Sequence, residues 1–313
     1  MSAVVLPALD GREPLGFLAA LGVLRVLADE GGVPARLSFS DRDATAVVHS
    51  DLADVDEIAG ELRKVVASIG EGAVLPGVGA GFPPAAGVGQ DPLRWPRETY
   101  RDHAVRLRES HPRAAEVWLP ALTTDLAVDS QGRGAISPFI APAGQQKLRT
   151  FFEKPLKAVR ADPTHLRDAL VRWRRVEGFT GEYLDHRVLR SSADDPRGRR
   201  GMEAGVPGAT WLATMAIPMF RLGGDGRRVR STLWQRTADD HVMIWPLWTP
   251  RLDVEAVRCL LEHPALRPVD EGPTMTATAW EPLGVFGVYS AHRRRLPGRT
   301  FEGVLSPNTV TIR

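Results

Sequence analysis

The sequence predicts an α+β fold, with mixed helices and short antiparallel sheets in one large domain or two closely packed ones. Three observations predict it. An apolar helical run follows a turn at Asp10-Gly11, two short β-branched runs flank a turn at Asp41-Arg42-Asp43, and an amphipathic helical pattern comes next. With 313 residues and 43% hydrophobic content the chain can bury a substantial core, so disorder is not the expectation. No period of 20 to 50 residues marks a solenoid.

The first helix is expected from about residue 13. Asp10-Gly11 supplies the turn, Glu13 puts a carboxylate at the positive helix end, and Pro14 fits the first turn, where its missing N–H is not needed. Leu15, Leu18, Leu21 and Leu24 line one face. Phe17, Ala19, Ala20, Gly22 and Val23 leave the other nearly as apolar, so burial all round is expected before a stop at Asp29-Glu30-Gly31-Gly32. Gly16 and Gly22 weaken the helix, and the compensating gain is close approach of another backbone. Arg36-Leu-Ser-Phe39 and Thr45-Ala-Val-Val-His49 read as a hairpin. Asp51 is expected to cap the next helix, whose inner face carries Val55, Ile58, Leu62, Val65 and Ile69.

Glycine and proline dominate residues 70 to 97. The cluster Gly77-Val-Gly79-Ala-Gly81 is not a dinucleotide loop, because Phe82-Pro83-Pro84 blocks the helix such a loop must open. A long surface loop or linker is expected there. Helical patterns follow at about 98 to 109, about 143 to 159, and Pro163 to Arg175. In the last, Leu166, Leu170 and Trp173 share a face and the arginines point outward. Ser191 to Gly201 reads as a flexible basic loop. Trp211 to Phe220 forms an apolar helix, and Gly223-Gly-Asp-Gly226 a turn leading to Arg227–Trp234. Strand-like Val242–Trp245, a helix from about Asp253 to Glu262 and strands near 275 to 280 and 285 to 292 complete the chain. The implied division is an N-terminal α/β portion (1–70), a Gly/Pro-rich loop or linker (71–97), a helical basic portion (98–200) and a C-terminal α+β portion (201–313).

No run of eighteen apolar residues exists, and Arg25 interrupts the first helix, which also lacks the basic lead-in and cleavage pattern of a signal peptide. A cytoplasmic protein without membrane partners is expected. The single cysteine, Cys259, excludes an internal disulfide and a cysteine-rich zinc site, and is expected to be a buried helix residue.

The net charge of +2 is unevenly spread: residues 1–60 carry −6, residues 145–200 carry +6, and 201–313 carry +2. Lysines occur only at 64, 147, 154 and 157, so nearly all cations are arginines, whose planar fork suits phosphate oxygens and base edges. Arginine also replaces lysine wholesale in GC-rich genomes, so clustering matters more than number. Four clusters are candidate nucleic-acid contacts: Arg172, Arg174 and Arg175; Arg197, Arg199 and Arg200; Arg227, Arg228 and Arg230; and Arg293, Arg294 and Arg295. The third lies near Trp234 and the fourth follows Tyr289, an interleaving of cation and aromatic that suits single strands. A solvated basic face is the plainer reading of each cluster alone. Trp245 and Trp248, around Pro246 in an apolar strand, read as core.

No catalytic signature is present. Gly-x-Ser-x-Gly, Walker and His-Glu-x-x-His patterns are missing. The histidines at 49, 103, 111, 165, 186, 241, 263 and 292 lack metal-ligand spacing. Asp102-His103, Asp185-His186 and Asp239-Asp240-His241 place carboxylate beside imidazole, but adjacent residues of a helix or strand point apart. No catalytic residue, metal or cofactor is assigned.

The opening Leu6-Pro-Ala-Leu-Asp10-Gly-Arg-Glu-Pro14-Leu-Gly-Phe-Leu-Ala-Ala-Leu21-Gly resembles that of the type I-G (formerly I-U) CRISPR-associated proteins, which include large-subunit-like and helicase-nuclease-extension forms. Ala143-Gly144-Gln145-Gln146, the Gly205–Phe220 segment and Ile244-Trp245-Pro246-Leu247-Trp248 are similar too. The resemblance implies a non-catalytic subunit of a CRISPR interference system in antiviral defence. It would contact guide RNA or target DNA through arginines and pack against other effector subunits. Two other classes stay open: a metal-dependent nuclease whose acids and histidines converge only in space, and a scaffold that binds protein alone.

Overall fold

A helix that is apolar on every face belongs at the centre of its protein, and the computed structural model places it there. The structure describes residues 1–83, 94–140, 147–188, 203–236, 241–264, 280–293 and 303–308. The architecture is α+β.

Strand β1 (Ser2–Asp10) precedes the helix and buries Val4, Leu6 and Leu9 on one side while Val5 and Pro7 face out. Helix α1 (Pro14–Arg25) is buried along its whole length. Its last turn widens into a π-helical turn over Val26–Glu30. Strands β2 (Arg36–Phe39) and β3 (Thr45–Ser50) form the expected hairpin, and β3 lies between β1 and β2 in an antiparallel sheet with Val4 opposite Val48. Helix α2 (Val55–Ser68) is capped by Asp54, whose carboxylate accepts the Glu57 N–H at 2.9 Å. Asp51 is therefore not the cap. The chain uses residues 51 to 53 to leave β3, and Asp51 instead lies 3.4 Å from the N-terminal amine.

Residues 70 to 83 contain no helix or strand, yet they are not a surface linker. Ala73, Val74, Leu75, Val78 and Phe82 are buried, and the Arg149 guanidinium donates to the carbonyls of Gly72, Ala80 and Pro83. Glycine permits the turns, while the apolar residues between them anchor the segment in the core.

Helix α3 (Arg97–Ser110) leads through a π-helical turn (Ala114–Trp118) into short α4 (Leu119–Leu122) and the hairpin β4 (Thr123–Val128) and β5 (Gly134–Ile136). Helices α5 (Leu148–Ala161) and α6 (Thr164–Val171) follow; α6 stops at Arg172, earlier than its apolar spacing suggested, and the chain enters β6 (Val176–Glu177). Strand β7 (Ala204–Gly205) pairs with β6 and leads into α7 (Pro207–Met215). Gly22 of α1 meets the backbone of Leu212 in α7, and Gly208 of α7 meets the carbonyl of His165 in α6; a Cβ at either would overlap the facing carbonyl oxygen. Gly16 faces the Asp10 carbonyl in the same way. Both helix glycines thus have the role their sequence context suggested.

The C-terminal portion is an antiparallel meander in chain order: β8 (Leu222–Gly224), β9 (Val229–Ser231), β10 (Trp234–Arg236), β11 (His241–Trp248), β12 (Val285–Arg293) and β13 (Leu305–Asn308). Helix α8 (Val254–Leu261), capped by Asp253, inserts between β11 and β12. Cys259 on α8 is exposed, contrary to expectation, because Val254, Val257, Leu260 and Leu261 form the buried face and residue 259 falls opposite. The expected strand at 275 to 280 lies outside the described residues, apart from buried Trp280.

One buried apolar cluster runs from Val4 to Leu305 and includes residues from all four sequence portions. Trp245 and Trp248 are fully buried within it. Their indole N–H groups donate to the carbonyls of Gly11 (2.8 Å) and Leu37 (3.0 Å), tying the large sheet to the N-terminal one, and Phe17 stacks on Trp245 at 5.6 Å. Among the described residues no helix is long and apolar enough to cross a membrane.

Candidate nucleic-acid interface

The Gly-rich turn between β8 and β9 builds a basic concavity. Gly226 adopts φ +98°, open to glycine but strained for other residues, and its backbone is docked on β4 through N–H to Leu126 carbonyl (2.8 Å) and Val128 N–H to Gly226 carbonyl (3.4 Å). Asp225 accepts the N–H groups of Arg227 (3.1 Å) and Arg228 (2.8 Å) on one carboxylate oxygen. Those donors hold the Asp225 carboxyl below its ordinary range and keep it charged. The result is a fixed turn with Arg227, Arg228 and Arg230 exposed and in no ion pair among the described residues.

Facing this turn is the start of α3. Arg97 donates to the Asp125 carbonyl at 2.9 Å, while its buried Nε has no partner among the described residues. Arg101, one turn on, pairs with the Asp125 carboxylate at 2.7 Å. Arg94 and Arg133 pair with Asp129 at 3.4 and 2.8 Å. Desolvation raises the Asp129 carboxyl, but the Arg133 and Gln131 donors outweigh it and hold the group at about 2. Arg97, Val128, Asp225, Gly226, Arg227 and Arg228 line an open groove of about 690 Å³. Such a site, with fixed backbone and forked donors, can bind phosphate oxygens.

The other clusters are used differently. Arg172 is exposed at the end of α6, with no ion pair among the described residues, but Arg174 bridges Asp162 (2.5 Å) and Asp168 (2.8 Å). Arg175 pairs with buried Asp185 at 2.6 Å and donates to the Ala204 carbonyl at 2.8 Å. These are not three outward cations on one helix, because the helix ends before them and nearby carboxylates, Asp168 of α6 itself among them, claim two. Arg293 is 4% exposed and donates to the carbonyls of Phe139 (2.5 Å), Tyr183 (3.2 Å), Pro138 and Gly303 (both 3.3 Å). It organises loops inside the protein and is withdrawn as a nucleic-acid contact. Arg197, Arg199, Arg200, Arg294 and Arg295 lie outside the described residues, as do Gln145 and Gln146.

Neither aromatic expected beside these arginines is an exposed platform. Trp234 is buried edge-on against Phe139 at 5.6 Å, and half-buried Tyr289 stacks on Trp245 at 6.3 Å. Arg97 was missed by sequence reading. Its one available signal was its spacing of one helical turn from Arg101; the partnership with residues 225 to 228 depends on tertiary contact.

The histidines form no metal constellation: no group of three potential ligands occurs among the described residues. His103 stacks on Phe82 (6.3 Å) and lies tilted against Trp95 (5.0 Å), and His49 Nε2 lies 2.9 Å from the Ser38 hydroxyl. His186 Nδ1 lies 3.7 Å from Glu13 Oε2 and 3.8 Å from Asp185 Oδ1, but Asp185 is already engaged by Arg175 and the Arg187 N–H.

No protein-family model matches the chain, and no curated protein matches it.

Proposed function

We propose that this chain is a non-catalytic subunit of a type I-G CRISPR interference system, acting in the cytoplasm. In this reading it contacts guide RNA or target DNA through the Arg97–Arg227–Arg228 groove and packs against other effector subunits. The observation that carries the nucleic-acid part is the groove itself, where a turn pinned by Asp225 holds arginines with no ion pair among the described residues. The CRISPR assignment rests on the resemblance of the opening segment. In RNA-guided recognition base pairing reads the sequence, so a protein subunit needs positive surface and no active site.

The test is binding of the purified chain to labelled single-stranded RNA, single-stranded DNA and duplex DNA across a salt series. Magnesium or manganese is present, and the products are resolved on a gel. Intact substrate with salt-dependent binding that is weakened in R227A/R228A supports the reading. Affinity and salt slope unchanged in that variant remove the groove. Cleavage would establish a nuclease, and no binding at all a protein-only scaffold.

A further inference from the structure

Resting on the groove as the nucleic-acid contact, we infer that its partner is a double helix, held by its phosphate backbone, and not a single strand held by stacked bases. Single-strand binders combine a basic track with exposed aromatic platforms, because stacking offsets the cost of ordering a flexible strand. Among the described residues the track comes without exposed platforms. Every tryptophan, tyrosine and phenylalanine except Phe301 is described, and each is buried or half-buried. The half-buried ones nearest basic surface are already engaged: Trp95 packs on His103 at 5.0 Å, and Trp173 lies under the Arg187 guanidinium at 5.1 Å. Tyr100, on α3 beside Arg97 and Arg101, is sunk far enough that burial raises its hydroxyl pKa.

The cations, by contrast, stand on fixed backbone. Asp225 holds the N–H groups of Arg227 and Arg228, Gly226 is bonded to β4, and Arg97 is tethered to the Asp125 carbonyl. Arginines rooted on held backbone sit at set positions, and a duplex presents a phosphate array that is itself fixed, at a charge spacing of about 1.7 Å along its axis. A single strand would have to be ordered against them with no compensating stacking.

Competition binding of the full chain decides this, using a 24-base-pair DNA duplex, the RNA duplex of the same sequence, and each separated strand. At about 0.1 M salt one of the duplexes is expected to bind at least about tenfold more tightly than its strands. R227A/R228A is expected to flatten the log-log salt slope on that duplex by about two, since each lost phosphate contact removes about 0.9. R227K/R228K keeps the slope, and R63A on the distant α2 surface leaves it unchanged. Strands bound as tightly as both duplexes overturn the duplex inference and leave the groove reading standing. No salt-dependent binding of any probe, or an R227A/R228A variant indistinguishable from the parent on every probe, overturns the groove reading beneath it.

Discussion

Arginine serves two opposite ends in this chain, and exposure separates them. Arg293 is enclosed, and its guanidinium supplies donors to carbonyls of residues 138, 139, 183 and 303, which come from three separate stretches of the chain. Half-buried Arg149 draws together the carbonyls of residues 72, 80 and 83 at the edge of the 70–83 segment, and Arg25, fully buried, donates to the Met215 carbonyl while pairing with Glu30 at 2.6 Å and lying over Trp118. Removing such a group strands several acceptors at once. Arg293→Met is expected to cost about 2–4 kcal/mol of stability, whereas Arg172→Ala on open surface changes it by less than about 0.5 kcal/mol. Urea denaturation of both variants checks this; equal midpoints would show that the Arg293 network contributes nothing. From sequence the two arginines look alike, since a cation after a strand and one after a helix have the same neighbours in kind.

At the scale of elements, helix glycines divide by what faces them. Gly22→Ala places a methyl group onto the Leu212 carbonyl, so α1 and α7 must separate; a loss of more than about 3 kcal/mol, or failure to fold, is expected. Gly60→Ala on α2 meets only the end of the Arg63 side chain at 3.8 Å and is expected to stabilise by about 0.5–1 kcal/mol through helix propensity. Thermal melting distinguishes the two, and equal shifts would refute the close-approach account of α1. The cap of α2 offers a parallel test. Asp54→Ala should cost about 1 kcal/mol and Asp51→Ala far less, since only Asp54 accepts a helix N–H. Sequence placed this helix correctly and its cap three residues early, because several aspartates precede the apolar pattern and only the exit path of β3 selects one.

For the whole molecule, pH dependence follows from the partly buried histidines. Burial lowers the pKa of His49, His103, His165 and His186 below the ordinary histidine value, chiefly by disfavouring the charged ring. The unfolded chain therefore takes up protons at these positions before the folded one does. Stability is fully present above about pH 6.5 and declines as pH falls below it, toward the lower folded-state values. Asp162, held at about 2 by the Thr164 hydroxyl and the Arg174 guanidinium, acts at the other end: its contribution persists above the ordinary carboxylate range and is lost only as pH falls toward 2. The urea midpoint should thus drop between pH 7 and 5.5, and His103→Gln should reduce that drop. A midpoint flat across this window would contradict the assignment.

The sequence by itself determined the elements whose signals are local: the all-apolar α1 and its glycines, the β2–β3 hairpin, the inner face of α2, the position of α8 though not its buried face, and the core placement of Trp245 and Trp248. Periodicity, turn residues and helix-start chemistry act over a few residues, so they can be read without knowing the fold. It did not show β1, whose alternation is short and broken by Pro7, nor the burial of Ala73, Val74, Leu75, Val78 and Phe82. Only tertiary structure decided which arginines remain outside and which face the β8–β9 turn. The carboxylates and carbonyls that claim Arg174, Arg175 and Arg293 arrive from segments distant in sequence, as does Arg97, which completes the groove. Charge is a property of the residue, but its availability is a property of what the fold brings within hydrogen-bonding distance.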